Sequence, residues 1–428
     1  MLKNNNAEII TIYGKAGCGK TTTLSKIITA DTDEFVVLAP TNSAVDTIFK
    51  MCSKEVNKLN RSLFKTIYSF FRIDYHNDIV LGAIEMPNTI YIDEFSLIDK
   101  FLFKKCMNDM ISKGCKKIVL CGDVMQLNAI YKTKQYISFG KINKWNLVYQ
   151  KIISNMNSDK YTPNIYPKVL EHIHLNIFGL KIIQNGKLIN LNVNKRSNDV
   201  VKNILSNIYA KNYDFNYSFL NFFDVPNYIL NLNYVFIASK YSILQKIYDY
   251  IYDIFWRKSK LHEDIITLEQ HISFSSGFKN LYLYPGMKII VCDTDEHKKY
   301  INGEELIFTG NFEYGKMKCL KMEEKEYIYV NKIKEVDKTK SEEYYPICPS
   351  FLMTIHKSQG KTIDNVIVCI DDMFDMSMMY TAITRAKNNL VFFSKVNDDK
   401  ERRNILIKNA YIEEFKQLNL ICNNVSNE

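Results

Sequence analysis

Short apolar runs rich in β-branched residues recur along the first 150 positions and alternate with longer runs of helical spacing. None of the short runs alternates strictly between apolar and polar residues, as expected for strands of a parallel sheet covered on both faces. The predicted strands are Ile9–Tyr13, Phe35–Leu38, Thr89–Ile92 and Lys117–Leu120, with a helix-compatible run at Thr22–Ile28. The pattern predicts an α/β domain over residues 1–150, with functional side chains just past the carboxyl ends of its strands.

The same pattern returns after a Tyr- and Asn-rich connection at about 141–186, and it predicts a second α/β domain over 151–428. Ser242–Phe255 has the spacing of an amphipathic helix. The predicted strands are Leu188–Val193, Tyr234–Ala238, Val366–Ile370 and Leu390–Phe393. Within this domain, about 283–350 changes to short alternating runs with glycine turns at Gly286, Gly303 and Gly315, which predicts a small antiparallel β insert.

Composition narrows the class of protein without identifying it. The 428 residues are 46% hydrophobic, and the net charge of +9 suits a polyanionic partner. No apolar run approaches the ~18 residues that span a bilayer, so no membrane association is expected. The ten cysteines show no paired metal-ligand spacing, which predicts reduced thiols and an intracellular protein of the cytoplasm or nucleus.

A glycine-rich loop joins the first predicted strand to the first predicted helix. Backbone N–H groups of such a loop turn toward a phosphate, and the helix N-terminus adds partial positive charge. Lys20 can reach the β- and γ-phosphates, and the Thr21 hydroxyl can hold Mg²⁺. The residues assigned to nucleoside triphosphate binding are Gly14, Ala16, Gly17, Cys18, Gly19, Lys20, Thr21 and Thr22.

Polar residues follow the third and fourth predicted strands. Asp93 can hold Mg²⁺ through water, and the adjacent Glu94 can orient and deprotonate the attacking water. The alternative is an acidic pair that caps a strand end. Gln126, in the segment Gly122–Leu127, can sense the γ-phosphate, although such a segment alone reads as a turn.

Two arginines and a polar segment lie far along the chain. Arg385, within Tyr380–Lys387, can stabilise the charge that develops during phosphoryl transfer, and Arg196 is a second candidate of the same kind. Either arginine can instead belong to a solvated surface. The segment Thr354–Thr362 offers hydroxyls, lysines and loop N–H groups to phosphates.

Taken in order, these segments resemble the motifs of superfamily 1 helicases over most of the chain. The resemblance covers eight segments: Gly14–Thr21, Leu38–Ala44, Lys65–Phe70, Ile92–Ser96, Gly122–Leu127, Asn194–Ser197, Met353–Thr362 and Tyr380–Lys387. The Thr66-Ile67-Tyr68-Ser69 form and the segment Tyr284–Lys288 are similar to the RecD-like and Dda-like branch, superfamily 1B, which moves 5′ to 3′ on DNA. In departure from the family, no glutamine precedes Gly14, and Tyr68 stands where histidine is common.

The resemblance implies two RecA-like parallel-sheet P-loop domains in tandem. A short 1B insertion is expected at about 72–88, and a small antiparallel β-barrel, the 2B insert, at about 283–350. It further implies that ATP and Mg²⁺ bind the first domain, with Lys20, Thr21, Asp93, Glu94 and Gln126. Arg196, Arg385, Gln359 and Gly360 are expected to reach the nucleotide from the second domain.

Single-stranded DNA and duplex junctions are the implied partners of a monomer. The residues expected to touch phosphates or stack on bases are Pro40, Thr41, Asn42, Thr66, Phe70, Thr354 and His356. Three other functions stay open at this point. The first is an RNA helicase of the same superfamily. The second is a nucleic-acid-binding protein that uses ATP as a switch without unwinding. The third is an unrelated P-loop enzyme such as a kinase.

Overall fold

A computed structural model of the protein gives its fold over most of the chain. The described residues are 7–56, 59–73, 85–98, 100–123, 126, 187–191, 193–257, 263–270, 277–295, 299–322, 324–337, 340–371, 373 and 376–408. None of the helices in these ranges is long and apolar enough to cross a membrane. The predicted insertion at about 72–88 and the connection at about 141–186 fall mainly or wholly outside the described residues.

Two compact units make up the described chain. The first holds the residues up to Arg196 together with Ser206–Asn212, and the second holds Ser197–Leu205 and the residues from Tyr213 onward. The predicted boundary at residue 150 lies outside the described residues. A RecA-like parallel sheet forms the centre of each unit.

The first unit contains a six-stranded, fully parallel sheet in the order β3-β2-β4-β5-β1-β6. Its strands are β1 (Glu8–Gly14), β2 (Phe35–Ala39), β3 (Phe64–Thr66), β4 (Thr89–Ile92), β5 (Lys117–Gly122) and β6 (Lys187–Leu191). Its helices are α1 (Lys20–Ala30), α2 (Asn42–Glu55), α3 (Ile67–Phe70) and α4 (Lys100–Ser112).

Both faces of this sheet are buried, which explains why its strands do not alternate in polarity. On one face Ile90 and Ile92 of β4 pack with Phe103 of α4. On the other face Tyr91 packs with Leu24 of α1 and a buried cluster from α2. The strand predictions for β1, β2, β4 and β5 are confirmed to within two residues at either end.

The strand β6 corrects one part of the predicted organisation. It was predicted, as Leu188–Val193, to be a strand of the second domain, but it pairs in parallel with β1, from Ile10 opposite Lys187 to Gly14 opposite Leu191. Arg196 follows this strand and belongs to the first unit. The physical reason is that β1 pairs with β5 along one edge only, so its other edge can pair with a short apolar strand from any part of the chain.

The second unit contains a five-stranded, fully parallel sheet in the order β18-β8-β19-β20-β7. Its strands are β7 (Phe219–Leu220), β8 (Val235–Ala238), β18 (Leu352–Thr354), β19 (Ile363–Cys369) and β20 (Ala386–Phe393). The helices are α5 (Asp199–Tyr209), which begins in the second unit and ends in the first, and α6 (Val225–Leu232), α7 (Tyr241–Ile251), α8 (Ile355–Ser358), α9 (Met376–Ile383) and α10 (Asp399–Lys408).

Strands from Ile266 to Pro349 form antiparallel structure, which begins before the predicted start of the β insert at about 283. A five-stranded sheet has the order β14-β13-β12-β11-β17, and two hairpins accompany it. The strands are β9 (Ile266–Glu269), β10 (Asn280–Leu283), β11 (Lys288–Val291), β12 (Glu305–Glu313), β13 (Lys316–Lys321), β14 (Glu326–Val330), β15 (Ile333–Asp337), β16 (Lys340–Tyr344) and β17 (Ile347–Pro349). Closure of this region into a barrel stays a prediction.

Candidate active site

The loop between β1 and α1 has the backbone of a phosphate cradle. Gly17 and Gly19 both adopt the left-handed region, with φ of 82° and 80°, which an L side chain rarely adopts. Gly19 is also the N-cap of α1, so the first-turn N–H groups of this helix open into the loop. This arrangement offers successive backbone donors and a helix dipole to an anion.

Lys20 lies at the first position of α1 and is 8% exposed. Its Nζ donates hydrogen bonds to the carbonyl oxygens of Gly14, at 2.8 Å, and Lys15, at 3.1 Å. It is also 3.8 Å from Oδ2 of the buried Asp123. The ammonium is thus held against the loop by the carbonyl oxygens of the loop itself.

The two residues assigned to Mg²⁺ lie side by side. Asp93, at the end of β4, is 3% exposed, and its carboxylate hydrogen-bonds with the Thr21 side chain. Burial raises the pKa of Asp93, while hydrogen bonds from Cys121, the Glu94 N–H and Thr21, and the charge of Lys20, oppose that rise. A buried carboxylate next to a hydroxyl has the hard oxygen donors that Mg²⁺ prefers, so these residues fit the ion.

Glu94 is held in an uncommon backbone conformation. Its φ of 50° and ψ of 39° are left-handed, and its N–H donates to Oδ1 of Asp93 at 3.0 Å. For a non-glycine residue this conformation costs on the order of 1–3 kcal/mol, and such strain concentrates at functional sites. The turn sets Glu94 directly beside the Mg²⁺ candidate Asp93, as a water-orienting base requires.

Asp123 joins the groups of this site; the sequence analysis placed it at a strand end, within Gly122–Leu127, but gave it no role. Its Oδ2 accepts a hydrogen bond from Nε2 of Gln126 at 3.3 Å and lies within 3.8 Å of the Lys20 ammonium. Its backbone N–H donates to Oγ of Ser96 at 3.4 Å, which links the ends of β4 and β5. Like Asp93, Asp123 directly follows a buried strand, and this position is the feature of the sequence that points to a role in the site.

The segment after β6 lies against the phosphate loop. The N–H of Lys195 donates to the carbonyl oxygen of Gly17 at 2.8 Å, and the N–H of Arg196 donates to Oδ1 of Asn194 at 2.9 Å. A Cβ placed on Gly17 would lie 2.8 Å from the Cβ of Arg196. Arg196 therefore approaches the loop from the same unit, whereas the sequence analysis expected it from the second.

This close approach gives a prediction for Gly17→Ala. The added Cβ would lie 2.6 Å from Oδ1 of Asn194, on a backbone with φ of 82°, so the loop has to move. We expect nucleotide affinity to fall at least about tenfold and the free energy of unfolding to fall by about 1–3 kcal/mol. Fluorescent-nucleotide titration and urea unfolding measure the two effects.

Gly315→Ala is the matched control, because Gly315 also has positive φ, 73°, but a Cβ there meets nothing within 4 Å. It should carry backbone strain alone and leave nucleotide affinity unchanged. Equal nucleotide affinity in Gly17→Ala and wild type would contradict the packing of Asn194 on the loop.

Three further nucleotide candidates lie in the second unit. The guanidinium of Arg385 is buried and donates to the carbonyl oxygen of Thr381 at 2.8 Å, to that of Lys361 at 3.4 Å and to Oγ1 of Thr384 at 3.1 Å. Gln359 ends α8, and the exposed Gly360 follows it with φ of 77°. Their action on a nucleotide stays a prediction.

The threonines assigned to nucleic acid share one structural position. Thr41, Thr66 and Thr354 each follow or end a parallel strand and cap the next helix, accepting from the N–H of Ala44, Ser69 and Lys357 respectively. Thr66 pairs with Ala39 in the β2–β3 register, so the ends of those two strands are adjacent. Thr354 likewise pairs with Ala238, the last residue of β8.

The neighbour of Thr354 on β8 is a residue that the sequence analysis missed. Ser239 directly follows β8, and its Oγ is buried without a hydrogen-bond partner among the described residues. The signal was a buried strand followed by a small polar residue and an amphipathic helix, the same order that led to Thr41.

The aromatic assignment needs a correction. Phe70 is 8% exposed and packs edge-on against Phe71 in the core of the first unit, with ring centroids 5.0 Å apart, so its ring is not available for stacking on bases. Tyr68, on the same short helix, is 37% exposed. Phe70 is buried because an amphipathic turn places one of its two aromatic side chains against the sheet.

The remaining assigned residues differ in exposure. Pro40 is buried, and Asn42 and His356 are half-buried. Burial lowers the pKa of His356, so its imidazole is neutral at pH 7 and can meet a phosphate only through a hydrogen bond. Lys357, the residue next to His356, places its Nζ against the sulfurs of Cys292 and Cys348.

Two family models match parts of the sequence. A model described as an AAA domain matches residues 2–132, and one described as a UvrD-like helicase C-terminal domain matches residues 349–393. A curated relative, the ATP-dependent DNA helicase Pif1 of Campylobacter jejuni, is 29% identical over 182 residues. That match covers 36% of this chain and 39% of the relative, so the chain matches well under half of that protein's length.

Solved helicase structures are similar over nearly the whole chain. A structure of two coordinating Pif1 helicases on forked double-stranded DNA has a TM-score of 0.59 at 18% identity and covers 99% of this chain and 94% of that one. Bacteroides Pif1 with ADP-AlF3 and single-stranded DNA scores 0.56 at 18% identity (99% and 95% covered), and Candida albicans Pif1 scores 0.57 at 14% identity (99% and 96% covered). The shared fold is that of two tandem RecA-like domains.

Proposed function

We propose that this chain is a helicase of superfamily 1, in the branch that includes the Pif1- and RecD-like enzymes, and that it couples ATP hydrolysis to movement along single-stranded DNA and to duplex unwinding. The observation that carries this proposal is the cluster around the phosphate loop, where Lys20, Asp93, Glu94 and Asp123 converge on one edge of the first sheet. We further propose 5′-to-3′ movement, which rests on the family resemblance alone.

Each side chain of the cluster has a defined part in hydrolysis. The Lys20 ammonium neutralises charge on the β- and γ-phosphates, and the loop N–H groups hold them in place. Glu94 orients the attacking water and accepts its proton, while Gln126, positioned by Asp123, contacts the terminal phosphate. Thr21 and Asp93 would hold Mg²⁺, which would supply neutralisation of phosphate charge. We assign Arg196 and Arg385 to stabilising the charge that develops on transfer.

The phosphate loop and the proposed DNA path lie at different strands of the first sheet, while β4, which carries Asp93 and Glu94, is directly beside β2. The carboxyl ends of β4, β5, β1 and β6 carry the nucleotide residues, while those of β2 and β3 carry Thr41 and Thr66. Three strand spacings separate β2 from β1, which is roughly 14 Å at the usual distance between strands. One edge of one sheet thus offers two distinct places for phosphates.

In the second unit the ends of β18 and β8 offer a similar place. Thr354 and Ser239 lie at the ends of these two paired strands, and we assign Thr354 to the DNA backbone. Hydroxyl and backbone contacts of this kind do not read sequence, and the net charge of +9 adds attraction that is independent of sequence. We therefore expect binding to single strands without marked sequence preference.

The deciding experiment compares tailed duplexes. We expect ATP-dependent strand displacement from a duplex with a 5′ single-stranded DNA tail and none from one with a 3′ tail. Displacement only from the 3′ tail would overturn the proposed direction. ATPase activity without displacement would instead support an ATP-switched binding protein.

The nucleic acid itself is tested by ATPase stimulation. We expect single-stranded DNA to raise the turnover rate well above the level that an RNA of equal length and sequence gives. Stronger stimulation by RNA would support the RNA helicase alternative.

A further inference from the structure

Two cysteines and a lysine meet in the second unit, where the lysine, Lys357, lies on α8 two residues before Gln359. Cys292 follows β11, and Cys348 lies in β17, which pairs with β11 so that Ile290 is opposite Cys348. The two cysteines are therefore diagonal neighbours on one face of the strand pair. The Nζ of Lys357, on α8, contacts Sγ of Cys292 and lies 4.0 Å from Sγ of Cys348.

The surroundings of these groups favour a charged pair of thiols. Cys348 is fully buried, Cys292 is half-buried, and the Lys357 ammonium lies 5.4 Å from the ring centroid of Tyr241. A buried ammonium is stable only beside groups that offset its charge, and here the sulfurs take that place. The hydrogen bond from Cys292 and the charges of Lys357 and Lys361 lower the pKa of Cys348 to about 6, while the pKa of Cys292 rises because the pair shares one proton.

Other buried thiols have the opposite character. Burial raises the pKa of Cys52 and Cys115 to about 11 and that of Cys106 and Cys319 to about 12. Such thiols stay protonated and unreactive at neutral pH. The contrast marks Cys292 and Cys348 as a chemically distinct site within the described chain.

We propose that Cys292 and Cys348 are a redox-active dithiol, whose thiolate the Lys357 ammonium holds and which a hydroperoxide oxidises to an intramolecular disulfide. The site needs neither nucleotide nor nucleic acid for this reaction. It is therefore a modification site whose chemistry does not depend on the proposed helicase activity.

The reaction balances with the hydroperoxide as the only oxidant. Cys292 passes its proton to the Cys348 thiolate, and the resulting half-buried Cys292 thiolate, in contact with the Lys357 ammonium, attacks the terminal oxygen of the hydroperoxide. The O–O bond breaks, and the departing alkoxide takes a proton from water to become an alcohol. Cys348 then attacks the sulfenic acid on Cys292, the S–O bond breaks, and the hydroxide leaves with the Cys348 proton as water. Two thiols lose two electrons in total, and one disulfide, one alcohol and one water result.

Mass spectrometry on the purified full-length protein tests the proposal. After treatment with tert-butyl hydroperoxide at pH 7 and alkylation of remaining thiols, we expect a peptide that links Cys292 to Cys348 and disappears with dithiothreitol. Cys106 and Cys319 should remain alkylated on denaturation, as internal controls. Recovery of Cys292 and Cys348 as free thiols throughout, or as separate over-oxidised residues, would overturn the dithiol.

Two variants test the parts of the reaction. Lys357→Met removes the charge but keeps the length, and we expect disulfide formation at pH 7 to slow about tenfold, because less thiolate is present. Lys288→Met, an exposed position on β11, should react at the wild-type rate. Equal rates in Lys357→Met and wild type would overturn the role of the lysine.

Cys348→Ser leaves Cys292 without its resolving partner. We expect it to accumulate a sulfenic acid on Cys292 that dimedone traps. Absence of the adduct in a variant with the wild-type unfolding midpoint would overturn Cys292 as the residue attacked by peroxide.

Discussion

Glu94→Gln is expected to lower the rate of ATP hydrolysis by about 10²–10⁴-fold while nucleotide and single-strand binding persist. Glutamine keeps the shape of the side chain but cannot accept the proton of the attacking water. The backbone N–H of Glu94 still donates to Asp93, so the turn and the Mg²⁺ candidates keep their positions. The loss should therefore fall on turnover and not on affinity.

Steady-state ATPase assays with single-stranded DNA, together with nucleotide titration, measure this separation. Glu34→Gln is the matched control, since Glu34 is exposed just before β2 and should hydrolyse ATP at the wild-type rate. Turnover within a few-fold of wild type in Glu94→Gln would mean that another residue is the base.

Lys20→Ala is expected to abolish nucleotide binding together with hydrolysis, with kcat/KM reduced at least about 100-fold. The truncation removes the cation that faces the phosphates, and it leaves the buried Asp123 without the ammonium 3.8 Å from its carboxylate. An uncompensated buried carboxylate beside the phosphate position would repel the triphosphate. Affinity and turnover should thus fall together, unlike in Glu94→Gln.

Lys26→Ala separates this effect from a general loss of charge. Lys26 lies on the exposed side of the same helix, α1, and should leave ATP affinity unchanged. Measurable nucleotide affinity in Lys20→Ala, equal to that of Lys26→Ala, would contradict the position assigned to the phosphates.

The first sheet and its site were largely predictable because their signals are local. The four predicted strands of this sheet match β1, β2, β4 and β5, and each nucleotide residue was placed by the strand that precedes it. Burial on both faces makes such strands continuously apolar, and the polar residues at their ends then stand out. Asp93, Glu94 and Gln126 were found this way.

The predictions that were wrong concern contacts between residues far apart in sequence, or which side of a short helix is buried. The sequence contains no signal for which sheet a short apolar strand joins, so β6 and Arg196 were assigned to the second domain. Nor does a four-residue helix have enough length to show which aromatic faces the core, and Phe70 was chosen over Tyr68. The contact of Lys357 with Cys292 and Cys348 has no signal in the sequence, because these sulfurs belong to the antiparallel β region, far from Lys357 along the chain or on a different sheet.

The pairing of β1 with β6 has a consequence for how the chain is made. Ile10 leaves the ribosome roughly 10–35 s before its partner Lys187 at ordinary rates of synthesis. During that interval the strand that leads into the phosphate loop has an open edge on one side, and open edges invite pairing with other chains. Contacts between residues so far apart in sequence also form slowly. The nucleotide site is therefore completed only after the segment at Asn194–Arg196 has been synthesised. Until then, the open edge of β1 in the nascent chain has to be kept from pairing with other chains.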